Sequence, residues 1–132
     1  MLQNRLRADD PEGPEAFALV ARLEDRLGRP EAGALRLAYQ IEIAEENTSA
    51  TADRFASRVR VVGHVRYRVM QDDTTLTEGK VDAFTAYSTT STPLATRSAA
   101  EDARRRLMII LADGIVTRLL AGARQWLPPA PA

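Results

Sequence analysis

Between Ser57 and Val69 two kinds of residue take turns. Ser57, Val59, Val61, Gly63, Val65, Tyr67 and Val69 hold the odd positions, and Arg58, Arg60, Val62, His64, Arg66 and Arg68 the even ones. A period of two sends alternate side chains to opposite faces of a β-strand. One face is therefore aliphatic, and the other carries four arginines and the only histidine of the chain. From Arg58 to Arg68 the basic row spans ~33 Å, at about 3.3 Å per residue. Guanidinium groups hold phosphates and carboxylates through charge-assisted, often paired hydrogen bonds. The chemistry open to this row is capture of a polyanion, such as a phosphorylated lipid head group or an acidic protein surface. No aromatics interleave with the arginines, so base stacking lacks a platform and nucleic acid is not the expected partner. In the competing reading the row is only a solvated face, balanced by Glu42, Glu78 and Asp82 on neighbouring strands.

Signals for catalysis are absent. There is no Gly-rich phosphate loop, no Gly-x-Ser-x-Gly and no His-Glu-x-x-His. The chain as given has no cysteine, which excludes a thiolate metal site and a thiol nucleophile within it. His64 stands among arginines, whose charge opposes a bound cation. Acid–base catalysis needs convergent partners, and none can be identified for it. Asp9-Asp10 and Asp72-Asp73 lie in turn segments, where aspartate commonly bonds local backbone. Glu45-Glu46 reads as a solvated strand end. Asn47-Thr48-Ser49 is formally a glycosylation sequon. No enzyme, cofactor or metal site is expected.

The elements that must hold the basic row follow from periodicity. Leu2 to Arg7 alternates weakly and reads as a short first strand. Asp9 to Pro14 is a turn, and a helix follows from Pro14 to about Leu27, with Phe17, Val20, Leu23 and Leu27 at helical spacing. Gly28 is its C-cap and Pro30 stops continuation. Leu35 to Ala44 alternates as a second strand, and polar Glu45 to Asp53 reads as a loop. After the arginine strand, Gln71 to Thr74 is a hairpin turn. The fourth strand covers about Thr75 to Ser88. Its apolar phase switches from Leu76 to Val81, Ala83 and Tyr87, which a β-bulge at Gly79 would explain. Thr92 and Pro93 can open a last helix, although Ser98 to Glu101 also forms a capping box where regular helix could begin. Ala99, Ala103, Leu107, Ile110, Leu111, Ile115 and Leu119 form its apolar stripe, and it ends near Arg124. The order β-α-β-β-β-α predicts an α+β two-layer sandwich, with two helices packed on one face of a mostly antiparallel four-stranded sheet. The other sheet face stays open, and Arg58, Arg60, His64, Arg66 and Arg68 sit on it. Residues 1–127 form one domain and 128–132 a disordered Pro-rich tail.

Composition sets outer bounds. The 132 residues make one domain of ordinary size, 45% hydrophobic and 27% charged, as in a globular chain. The formal net charge is zero, so any electrostatic function depends on local segregation. Lys80 is the only lysine. No apolar run approaches the roughly 18 residues of a membrane span, and no signal peptide is visible.

An ordered set of segments resembles a known family. They are Phe17-Ala-Leu-Val-Ala-Arg-Leu-Glu-Asp-Arg-Leu-Gly28 and Val62-Gly-His-Val-Arg-Tyr-Arg-Val69. Next come Gly79-Lys-Val-Asp-Ala-Phe-Thr-Ala-Tyr87 and Ala99-Ala-Glu-Asp-Ala-Arg-Arg-Arg-Leu107, leading into Leu111-Ala-Asp-Gly-Ile-Val-Thr-Arg-Leu119. Over nearly the whole chain this is similar to the lipopolysaccharide-assembly lipoprotein family LptE in its alphaproteobacterial form. The resemblance implies two helices on a four-stranded sheet. It implies a non-enzymatic lipoprotein of the outer membrane's inner leaflet, facing the periplasm and held by an N-terminal lipid anchor absent from this chain. It also implies a partner, the LptD β-barrel, in whose lumen the lipoprotein sits as a plug, and direct binding of lipopolysaccharide. The phosphates of lipid A would give Arg58, Arg60, His64, Arg66 and Arg68 a ligand.

Two other readings stay open at this point. One is an auxiliary envelope lipoprotein of a lipid ABC transporter, which its protein partner would distinguish. The other is a small α+β ligand-binding enzyme. That would need a concave pocket with convergent polar groups between sheet and helices.

Overall fold

A computed structural model describes residues 2–47, 58–89 and 92–129. The elements are β1 (Leu6–Ala8), α1 (Gly13–Leu27), β2 (Leu35–Asn47), β3 (Arg58–Gln71), β4 (Thr74–Ser88) and α2 (Pro93–Trp126). The four strands form one sheet in the order β1-β2-β3-β4. β1 runs parallel to β2, while β2, β3 and β4 are antiparallel neighbours. Both helices cover one face, so the α+β two-layer reading holds, with a mixed sheet.

The long β3 strand organises the core. Its odd positions Val61, Val65, Tyr67 and Val69 are at most 5% exposed. They pack with Leu37 of β2 and Val81 of β4 under Leu107, Leu111 and Ile115 of α2. α1 adds Leu19, Val20, Leu23 and Leu27. Gly63 lets α2 approach closely: a Cβ there would lie 2.8 Å from Leu107 Cδ2 and 3.0 Å from Leu111 Cδ1.

Several expected boundaries move. The first strand is only Leu6–Ala8, because Asn4 turns the chain at φ 62 and its N–H donates to the Leu27 carbonyl at 2.8 Å. Leu2 is buried all the same. Phe17 faces solvent, 68% exposed; the buried stripe of α1 begins at Ala16 and continues through Leu19, Val20, Leu23 and Leu27. α2 starts at Pro93 without waiting for Ser98, and Thr92 Oγ1 accepts from the Ala95 N–H at 3.2 Å. Its core stripe uses Met108, Ala112 and Val116, while Ile110 is exposed. The helix runs past Arg124 to Trp126, whose indole N–H donates to the Leu119 carbonyl at 3.0 Å. Pro128, expected in a disordered tail, offers its carbonyl to Arg5 Nη2 at 2.9 Å.

The phase switch of β4 is real but lies elsewhere. Pairing with β3 shifts between Val69, opposite Thr77, and Met70, opposite Thr75. Leu76 is thus the extra residue, and it packs on the core. Gly79 instead makes room for a neighbour: a Cβ there would lie 2.5 Å from Tyr67 Oη. Turn Asp72–Asp73 joins β3 to β4 as expected, with Asp72 at φ 55. The stretch read as a loop from Glu45 begins as strand, since β2 continues to Asn47. Its remainder, Ser57 of the arginine strand, and Thr48 and Ser49 of the sequon lie outside the described residues.

Candidate anion-binding face

The register of β2, β3 and β4 lays the even-numbered residues out in cross-strand rows on the face away from the helices. From the hairpin end, beyond the row Arg36–Met70–Thr75 at the bulge, come Ala38–Arg68–Glu78 and Gln40–Arg66–Lys80. Then come Glu42–His64–Asp82, Ala44–Val62–Phe84 and Glu46–Arg60–Ala86, with Arg58 opposite Ser88 beyond them. Arg58, Arg60, Arg66 and Arg68 are all exposed and His64 is half-buried. Alternation put every expected residue on one face because neither β2–β3 nor β3–β4 slips within these rows.

The face is not one continuous basic field. His64 Nδ1 lies against Asp82 Oδ1, with Glu42 opposite on the other side. The hydrogen bond from His64, aided by the charge of Lys80, holds the Asp82 carboxyl below its usual range. This row, with two carboxylates against one imidazole, is net negative and separates two ends. At the far end Arg60 stacks on the Phe84 ring, 4.3 Å from its centroid, a cation–π contact. Phe84 is 59% exposed, so this end is aromatic and apolar beneath its arginine.

At the hairpin end the sheet carries an open concavity of about 580 Å³. Arg36, Arg66, Arg68 and Lys80 line it, with Gln40 beside them and Ala38 contributing only a methyl. Its carboxylates are Asp9 and Glu78. Asp9 is already engaged by Arg36, Nε to Oδ1 at 2.7 Å and Nη2 to Oδ2 at 3.0 Å. Lys80 Nζ stands 3.6 Å from Asp82 Oδ1. Among the described residues Arg66 and Arg68 have no ion-pair or hydrogen-bond partner. Reading β3 alone missed Arg36, Gln40, Lys80 and Phe84. The same parity rule, applied to β2 and β4 together with the register, finds them.

No group of three or more His, Cys, Asp or Glu that could hold a metal ion occurs among the described residues. Among the described residues no helix is long and apolar enough to cross a membrane. Among the described residues two helices lie on one face of a small sheet and no element covers the other, partly cationic face, which makes this an α+β two-layer domain.

Residues 5–119 match the family described as LptE, lipopolysaccharide-assembly. The chain belongs to this family. Among solved structures it is similar to a Caulobacter crescentus CB15 protein, with TM-score 0.68, 17% identity and 89% of both chains covered. It is also similar to the rare lipoprotein B of Shewanella oneidensis, with TM-score 0.65 and 14% identity over 90% of this chain and 94% of that one. A minor lipoprotein of Acinetobacter baumannii matches with TM-score 0.64 and 14% identity over 90% and 91%. At these identities the structures establish the shared fold. No curated protein matches the chain significantly.

Proposed function

We propose that this protein is a non-catalytic lipoprotein of lipopolysaccharide assembly, acting on the periplasmic side of the outer membrane. In this reading it is the plug and assembly partner of an LptD-type β-barrel. Its open sheet face, through Arg58, Arg60, His64, Arg66 and Arg68, binds lipopolysaccharide directly. Family membership supports the process, and the lipoprotein relatives support the anchoring. The observation that carries the binding role is a bare sheet face with exposed arginines, on the side that neither helix covers. Among the described residues Arg66 and Arg68 have no carboxylate within ion-pair distance, so both guanidinium groups are open to an anion.

The test replaces Arg58, Arg60, Arg66 and Arg68 together with glutamine. These side chains point away from the core, so the variant should keep its circular dichroism spectrum and melting temperature. Its affinity for lipopolysaccharide should fall roughly tenfold or more, since several charge-assisted bonds are lost. A folded variant of unchanged affinity refutes the binding role. Purification of the full-length lipidated protein from solubilised outer membranes tests the partner. Recovery of a stoichiometric β-barrel supports the plug reading, whereas recovery of a lipid-transporter complex favours the auxiliary-subunit alternative.

A further inference from the structure

The rows of the open face assign different work to its two ends. We infer that the concavity at the hairpin end is a phosphate-monoester site, with Arg66, Arg68 and Lys80 as its cations and Gln40 as a neutral donor. Arg58 and Arg60 lie outside it. The ligand chemistry rests on the geometry here, and only its source, a phosphorylated glycolipid, rests on the proposed function.

Arg66 and Arg68 lie two positions apart on one face of β3, about 6.7 Å along the strand. Lys80 and Gln40 flank Arg66 on its two neighbours in the same cross-strand row. Four donor-bearing side chains therefore rise around one spot, over the low floor left by Ala38. A site of about 580 Å³ is large enough for a phosphorylated sugar. Charge selects phosphate over carboxylate. Among the residues that line it, Arg36, Arg66, Arg68 and Lys80 stand against Asp9 and Glu78, a surplus of two positive charges, with Asp82 3.6 Å from Lys80 Nζ just outside. A phosphate monoester carries about −1.5 to −2 at neutral pH, which matches that surplus, while a carboxylate would leave half of it. Asp9 is occupied by Arg36, so it does not oppose an incoming anion with its full charge.

The other end cannot serve the same ligand. The His64–Asp82 contact and Glu42 stand between, and the next row is Ala44–Val62–Phe84. Arg60 lies over Phe84. That arginine lies on a ring over an apolar patch, a setting that suits the rest of the glycolipid rather than a phosphate.

Two folded variants test the assignment: the triple change Arg66→Gln, Arg68→Gln, Lys80→Gln, and the double change Arg58→Gln, Arg60→Gln. Each is titrated with bis-phosphorylated lipid A in detergent micelles, with enzymatically dephosphorylated lipid A, and with inorganic phosphate alone, following backbone amide signals by NMR. The triple variant should lose tenfold or more in affinity for phosphorylated lipid A and no longer distinguish it from the dephosphorylated lipid, whereas the double variant, whatever its overall affinity, should keep that distinction. Wild type should bind the dephosphorylated lipid as weakly as the triple variant does. Inorganic phosphate should shift wild-type signals around Arg66 and Lys80 and leave those of the triple variant still. If only inorganic phosphate binds there, the site stands with a free anion as its source and the lipopolysaccharide reading fails. If lipid A binds wild type and the triple variant alike, or the double variant also loses the distinction between phosphorylated and dephosphorylated lipid A, the phosphate site is overturned while lipopolysaccharide binding survives. If neither lipid A nor phosphate binds wild type, both fall.

Discussion

Gly63 is where the helical layer rests most closely on the sheet, and Gly63→Ala measures that seat. The added methyl would sit 2.8 Å from Leu107 Cδ2, 3.0 Å from Leu111 Cδ1 and 3.3 Å from Leu107 Cγ. Carbon atoms prefer about 3.5–4.0 Å, so the first contact is short by roughly 0.7 Å. Leu107 and Leu111 are 0% and 1% exposed and have little free space to enter. Overpacking of this kind costs about 1–3 kcal/mol. Removing a glycine from a strand interior returns about 0.5–1 kcal/mol, which leaves a net loss of about 1–2 kcal/mol. In a domain of this size that lowers Tm by roughly 4–8 °C, and the urea midpoint should move with m unchanged. Leu107→Ala alone should cost about 2–5 kcal/mol. Combined, the new methyl partly fills the new cavity, so the two losses should fall short of additivity by about 0.5–3 kcal/mol. A Gly63→Ala protein as stable as wild type, with losses that simply add, would refute the close seating of α2 on β3.

Two further outcomes follow from single polar contacts. Asp113 of α2 accepts from Arg22 Nε at 2.8 Å and Arg26 Nη1 at 3.0 Å, and these bonds, that from Arg22 foremost, hold its carboxyl below the ordinary value of 3.8. A depressed folded pKa contributes stability that is present above the unfolded value and lost as pH falls through the folded one; Asp113→Asn should therefore flatten the acid limb of a pH–stability curve below about pH 4, and an unaltered limb would count against the pair. Thr85, 8% exposed, donates its hydroxyl to the Ala103 carbonyl at 2.8 Å; Thr85→Val should cost about 1 kcal/mol in urea unfolding, and a neutral result would mean that the bond contributes nothing between β4 and α2.

The sheet face was legible because its signal is local. Strict alternation over β3 needs no knowledge of partners, and it placed all five candidate residues on one side. What alternation cannot supply is register. Whether His64 meets Asp82 or Arg68 meets it depends on the length of the Asp72–Asp73 turn and on the bulge at Leu76. That bulge was misplaced to Gly79 because both a bulge and a close approach favour glycine, and here the close neighbour is Tyr67. Helix faces were less legible for a similar reason. Phe17 and Ile110 are apolar yet exposed, one step off stripes that sequence spacing alone draws too broadly. Glu45 looked like a solvated strand end, but it accepts from Arg104 Nη1 at 2.7 Å, a bond between residues far apart in the chain.

A chain of zero net charge bares a cationic patch because its charges are segregated, with ion pairs on the helices cancelling both signs there. Asp113 takes Arg22 and Arg26. Glu15 and Glu45 share Arg104, at 3.4 and 2.7 Å. Asp102 takes Arg105 and Arg106, both at 2.9 Å. All these pairs involve the helices. On the open face the carboxylate of Asp82 goes to His64, which leaves Arg66 and Arg68 as the cations without partners there. At physiological ionic strength charges are screened beyond about 8 Å. An anion arriving at the hairpin end is therefore attracted by the arginines within that distance, and the acids paired on α2 do little to cancel them. Zero net charge and a locally cationic hairpin end are compatible for this reason. It is where the charges sit and which of them are paired, more than their total, that decides what the open sheet can bind.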